Sequence, residues 1–77
     1  MNVPNKPLVL DLLEWLAPGP RPYKEVMQAW HTHCPRLTIW EDSLDLGLVA
    51  RAYLLPAGNV VEITREGRAL LEAEGRM

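Results

Sequence analysis

The C-terminal half of this 77-residue chain contains two alternating segments, a turn between them and a helix behind them, and this order constrains the fold most. Side chains of different size and polarity alternate over 48–55 and again over 60–63, as in strands with two different faces. Residues 56–59 (Pro-Ala-Gly-Asn) suit a short turn. Thr64 is a typical cap for a last helix over 65–75. The sequence therefore predicts a β-hairpin followed directly by a helix.

Three helices are predicted between residues 7 and 46, after a short loose arm at 1–6. In the first helix, apolar residues recur at helical spacing until the sequence Pro18-Gly19-Pro20 ends it. The second helix is expected over about 23–33. Leu10 lies beside the acidic residues of the first helix and off its main apolar arc. We therefore expect Leu10 to be exposed and to contact a second copy of the chain.

The third helix is short and has an acidic face. Thr38 and Glu41 have the spacing of a capping box, and Gly47 suits a left-handed helix end. In a projection at about 100° per residue, Glu41, Asp42 and Asp45 share one side of this helix. The apolar residues occupy the opposite arc: Ile39, Trp40, Leu44 and Leu46. The exposed face of the third helix is therefore expected to carry negative charge and no lysine or arginine.

The pattern Gly47-Leu48-Val49-x-Arg51, followed by Thr64-x-x-Gly67-Arg68-x-Leu70-Leu71, resembles bacterial winged-helix regulators of the multiple-antibiotic-resistance and PadR types. This resemblance implies an α+β, mainly α fold: a winged helix with a three-helix core, a β-hairpin wing at 48–63 and a C-terminal helix, all in one domain over 1–77. It also implies that the third helix is the recognition helix. Members of the family often bind DNA as dimers, whereas other winged helices bind only protein.

The charge pattern favours protein over DNA as the partner. The formal net charge is −2, whereas proteins that bind nucleic acid usually carry a basic excess. If the third helix bound DNA, each of its carboxylates would lie near a phosphate. At a separation of 7 Å in water, the repulsion between one carboxylate and one phosphate would cost roughly 0.6 kcal/mol of binding free energy before screening by salt. The candidate phosphate or wing contacts are Lys24, Arg36, Arg51 and Arg65. A basic stripe formed by them would favour DNA, and an apolar patch at Leu10 or Tyr53 would favour protein.

We therefore expect a small non-catalytic winged-helix interaction module that mediates protein–protein recognition or self-association. The alternative is the DNA-binding domain of a bacterial transcription regulator, which the acidic face of Glu41, Asp42 and Asp45 weakens. Hydrophobic residues make up 48% of the chain. That fraction is high for a domain of this size, so a second copy is the simplest partner and a homodimer is expected. The alternative is a chain that docks on another partner through its first and last helices.

Other chemistry is not expected from this sequence. His31, His33 and Cys34 lie close together, but His33 would point away from the other two on a helix, so no metal site is predicted. Ser43 has no evident base partner for catalysis. We expect no enzyme activity and no cofactor. A single cysteine excludes an internal disulfide, and no apolar run is long enough to span a membrane. A cytoplasmic protein that does not associate with membranes is expected.

Overall fold

The protein is α+β and mainly helical, with a three-stranded antiparallel sheet. The structure is a computed structural model, and it describes residues 3, 6–30 and 39–76. The described elements follow in this order: α1 (Lys6–Leu16), β1 (Arg21–Pro22), α2 (Tyr23–Trp30), α3 (Ile39–Asp45), β2 (Val49–Leu54), β3 (Gly58–Ile63) and α4 (Arg65–Ala73). The expected cap at Thr38, the expected end of the second helix near His33, and the candidate residue Arg36 lie outside the described residues.

The sheet confirms the expected hairpin and adds one strand to it. β2 and β3 pair antiparallel from Val49↔Ile63 to Leu54↔Gly58, so the connection is shorter than the expected turn at 56–59. The peptide bond between Leu55 and Pro56 in this connection is cis. β1 pairs with the other side of β3, which gives the strand order β1-β3-β2. The sequence did not predict β1, because two residues are too few to display an alternation.

The core is built around α1, which contacts α3, α4 and β3. The expectation that Leu10 is exposed is wrong, because its side chain is only 5% exposed and belongs to the core cluster. A helix covered from several sides buries a wider arc than an amphipathic surface helix does. Leu10 is therefore not available to contact a second copy. Of the loose arm expected at 1–6, Val3 is buried in the core and Lys6 begins α1, and the other four residues lie outside the described part of the chain.

Thr64 joins the end of α3 and the start of β2 to the start of α4. Its Oγ1 accepts a hydrogen bond from the Gly67 N–H at 3.1 Å, which confirms the expected N-cap. The same hydroxyl donates to the Gly47 carbonyl oxygen at 2.6 Å. Gly47 has φ of 73°, as expected for a left-handed helix end. The Thr64 N–H donates to the Leu48 carbonyl oxygen at 3.0 Å. One residue thus fixes how the last helix enters the core.

Replacing Thr64 should therefore lower stability well beyond a typical surface substitution. We expect Thr64→Val to reduce the free energy of unfolding by about 1–2 kcal/mol, because the cap and the bond to Gly47 are both lost. Urea titration followed by circular dichroism measures this loss. Thr64→Ser keeps the hydroxyl and should cost much less. Equal losses for the two variants would show that the hydroxyl contributes nothing.

The far end of α4 is tied back to α1. Gly75 has φ of 72°, and the Arg76 N–H donates to the Leu71 carbonyl oxygen at 2.9 Å, the pattern of a Schellman end. The Arg76 guanidinium donates to Asp11 at 2.7 Å and to Glu14 at 2.9 Å. These hydrogen bonds, Asp11 first, raise the pKa of Arg76 above its ordinary value. Since the contacts are solvent-exposed, they orient the terminus more than they stabilise the fold.

Candidate functional site

The far end of the β2–β3 hairpin presents apolar side chains to solvent. The exposed fractions are 67% for Tyr53, 46% for Leu54 and 79% for Leu55. Pro56 and Ala57 are exposed as well, and we call residues 53–57 the hairpin tip. At the other end of β2, Leu48 and Val49 are buried, so the hairpin begins in the core and extends beyond it. Residues 52–61 contain no charged side chain. The tip is therefore an uncharged apolar projection.

The solvent-facing side of α3 is acidic, as expected. Glu41 and Asp45 are exposed and Asp42 is half-buried, while Ile39 and Trp40 are buried. Within the described residues, none of the three carboxylates forms a salt bridge. The structure therefore leaves this negative charge facing solvent.

Two neighbouring residues of α3, Ser43 and Leu44, differ from what their polarity suggests. The helical projection includes Leu44 in the apolar arc of α3, but its side chain is 37% exposed. Ser43 is fully buried instead, and its Oγ has no hydrogen-bond partner among the described residues. Ser43 falls near the middle of the arc between Ile39 and Trp40, whereas Leu44 falls at its margin. Position on the helix thus decides burial here, although the serine is polar.

Arg51, a candidate phosphate contact on β2, packs on an aromatic ring of the same chain. Its guanidinium carbon lies 4.5 Å from the centre of the Tyr23 ring. Tyr23 in turn meets Trp40 edge to face, with ring centres 6.0 Å apart. A guanidinium placed over an aromatic face in this way is held by cation–π attraction. Arg51 thus links β2 to α2 and α3, although its side chain remains exposed.

Most other described cations also have partners in the chain. Lys6 pairs with Glu74 at 2.8 Å, and Arg68 donates to the Ala17 carbonyl oxygen at 3.2 Å. Arg21 pairs with Glu25 at 2.8 Å and lies 4.4 Å above the Trp15 ring. The exposed candidates Lys24 and Arg65 have no side-chain partner among the described residues, and they lie on different helices, α2 and α4. The structure therefore places Arg51 on the Tyr23 ring, and it leaves Lys24 and Arg65 on two different helices.

Neither a metal-binding cluster nor a membrane-spanning helix occurs in the part of the chain that the structure describes. Residues 6–30 and 39–76 contain no cluster of three metal-binding side chains, and His31, His33 and Cys34 lie outside them. No helix in the described ranges is long and apolar enough to cross a membrane. A shallow groove of about 380 Å³ lies between the start of α1 and α4, where the Lys6–Glu74 pair borders Ala69, Leu70 and Ala73.

No protein-family model matches the chain, and no match was found among curated proteins or solved structures. The candidate site consequently depends on its own geometry. The sequence singled out Tyr53 and the acidic residues of α3, but it did not single out Leu54 and Leu55. One signal in the sequence could have indicated the exposed tip. The segment 52–61 has no charged residue, whereas a hairpin with one face in solvent usually alternates apolar side chains with polar ones.

Proposed function

We propose that this chain is a winged-helix module that recognises a protein through its hairpin tip. The observation that carries the proposal is the exposure of Tyr53, Leu54 and Leu55 on an uncharged hairpin. The order of three helices, a hairpin and a last helix supports the winged helix, since the resemblance implies the same order. Exposed apolar patches on small proteins typically mark contact sites for other proteins, and tyrosine is enriched in such interfaces.

The charges near the tip argue against DNA as the partner. A wing that grips a phosphate backbone needs cations that can reach it, and the ten residues 52–61 have none. Arg51, the nearest cation on β2, packs over Tyr23. In a DNA reader of this fold, the face of α3 that carries Glu41 and Asp45 would meet the major groove. Carboxylates there would repel the phosphates on either side. Among the described residues, the exposed Lys24 and Arg65 support the alternative of a transcription regulator.

The proposal can be tested on DNA with a charge-reversal variant of α3. We expect the native protein to show no specific duplex binding tighter than about 1 μM at physiological salt, against 10⁻⁸–10⁻¹¹ M for specific readers. Asp42→Lys with Asp45→Lys should increase weak non-specific binding about three- to ten-fold at low salt, because repulsion is relieved near the phosphates. Selection from genomic fragments, followed by titration at two salt concentrations, measures both.

The matched control places the same change in charge on α4, with Glu66→Lys and Glu72→Lys. These side chains are exposed, so the fold should tolerate both lysines. A smaller gain in the control would show that the position of the charges matters as well as their number. One enriched motif, bound by the native protein at nanomolar strength and lost in the α3 variant, would overturn the proposal in favour of the regulator.

A further inference from the structure

β2 is an edge strand, and its outer edge has unpaired main-chain groups. The sheet order β1-β3-β2 leaves one side of β2 without a neighbouring strand. The Thr64 N–H donates to the Leu48 carbonyl oxygen, so Leu48 faces the β3 side of the ladder. In an antiparallel ladder the main-chain groups alternate in direction, so those of Arg51 and Tyr53 face outward. Within the described residues these two have no main-chain partner on that edge.

Most of the usual protections of an edge strand are missing from β2, whose one charged residue, Arg51, packs over Tyr23. Edge strands commonly carry lysine, proline or a bulge, which prevent another strand from pairing with them. β2 reads Val-Ala-Arg-Ala-Tyr-Leu and contains neither lysine nor proline. Its pairing with β3 runs through six consecutive residue pairs without a bulge. No other strand in the described part of the chain pairs with this edge, and the hairpin tip continues it with exposed apolar side chains.

We propose that β2 of a second copy of this chain pairs antiparallel with this edge, with the two-fold axis at Ala52. This inference rests on the proposed function and names its partner. Arg51 then lies opposite Tyr53 of the second copy, and each pair exchanges two main-chain hydrogen bonds. Ala52 lies opposite itself in a pair without hydrogen bonds, where the strands and side chains come closest. A methyl group fits that position.

The sequence of β2 favours this register over the two registers that place the two-fold axis at Arg51 or at Tyr53. An axis at Arg51 would place two like charges opposite each other, which is destabilising. An axis at Tyr53 would shorten the pairing, because the strand ends at Leu54. With the axis at Ala52, each Arg51 lies across from the uncharged Tyr53 instead of from a second arginine, and its guanidinium keeps its contact with Tyr23. The exposed Leu55 then lies opposite Val49. Because the pairing involves a single strand from each copy, we expect a weak dimer with a Kd of about 10–100 μM.

Disulfide trapping in the full-length chain tests the register. With Cys34 replaced by serine, Ala52→Cys should form a covalent dimer rapidly, since Cα atoms in such a pair are about 4.5 Å apart and suit a disulfide. Ala50→Cys alone should not cross-link, but it should cross-link when mixed with Leu54→Cys, because positions 50 and 54 lie opposite each other. Ala69→Cys on exposed α4 gives the background rate. If Ala52→Cys is no faster than Ala69→Cys, the pairing is wrong.

A second measurement avoids added cysteines. Sedimentation equilibrium of the native chain at hundreds of micromolar should show a monomer–dimer equilibrium. Tyr53→Pro removes the outward N–H that the second copy would accept, and an edge strand tolerates proline there. We expect its Kd to rise about ten-fold or more, against a smaller rise for Tyr53→Ala. Circular dichroism confirms that both variants fold.

The outcomes separate this inference from the proposed function. A native chain that stays monomeric at these concentrations, or equal effects of Tyr53→Pro and Tyr53→Ala, would overturn the paired edge. If that chain still bound another protein through Leu54 and Leu55, protein recognition by the tip would stand without the second copy. Specific nanomolar binding of duplex DNA would overturn the proposed function, whatever the oligomeric state.

Discussion

Gly67→Ala is expected to lower the free energy of unfolding by about 3 kcal/mol, although Gly→Ala in a helix ordinarily stabilises it by roughly 0.5–1 kcal/mol. The reversal of sign has a local cause. A Cβ at position 67 would collide with the Leu48 carbonyl oxygen and lie 2.7 Å from Cγ1 of Ile63. The carbonyl cannot move freely, because it accepts the Thr64 N–H. The first turn of α4 would therefore have to move away from Leu48 and from the end of β3.

Urea unfolding measures the free energy of unfolding of Gly67→Ala, and Gly19→Ala serves as the control. Gly19 has no neighbouring atom within 4 Å of an added Cβ, so its substitution should change stability little. Domains of this size are stabilised by only about 4–12 kcal/mol, so the loss at Gly67 would be a large part of the total. If Gly67→Ala is as stable as the native chain, α4 does not pack closely on Leu48 and Ile63.

The second large effect concerns the hairpin tip. Leu54→Asp together with Leu55→Asp should weaken the binding of any protein at the tip by about 100-fold or more, because apolar anchors at the centre of an interface dominate its energy. The free energy of unfolding should change by less than about 1 kcal/mol, since both side chains are substantially exposed. Binding can be followed by sedimentation for a second copy, and by titration for any other captured protein.

Leu8→Asp is the matched control for this variant. Leu8 is a 41% exposed leucine on α1, so it tests whether any exposed leucine would give the same result. We expect Leu8→Asp to bind as the native chain does. Loss of binding in both variants would indicate a general loss of apolar surface. Unchanged binding in the tip variant would remove the hairpin tip from the proposed site.

The hairpin and the start of α4 could be predicted because their signals are local. Gly47 fits a left-handed helix end, Thr64 fits an N-cap, and alternation marks the two strands. β1 could not be predicted, because its two residues become a strand only through pairing with Val60 and Val61 of β3. Short strands of this kind depend on tertiary contacts and have no periodicity of their own.

The negative charge of α3 could be predicted from the sequence, but the exposure of the hairpin tip could not. The acidic face of α3 follows from helical spacing. The exposure of the hairpin tip does not follow from alternation, which assigns each side chain to a face without indicating where a strand leaves the core. Leu10 illustrates the opposite error, since its position beside Asp11 suggested exposure, yet the elements packed around α1 bury it. Both cases depend on how far neighbouring elements extend, and a single helix or strand pattern does not contain that information.

Photo-cross-linking in source cells tests most directly whether the hairpin tip recognises a protein. A benzoylphenylalanine is placed at position 55 of the tip in one variant and at position 45 of α3 in another. We expect position 55 to give a protease-sensitive, nuclease-resistant adduct, with twice the chain mass if the partner is a second copy. Position 45 should give none. A nuclease-sensitive adduct from position 45, with no protein adduct from position 55, would contradict protein recognition by the hairpin tip and favour a DNA-binding regulator.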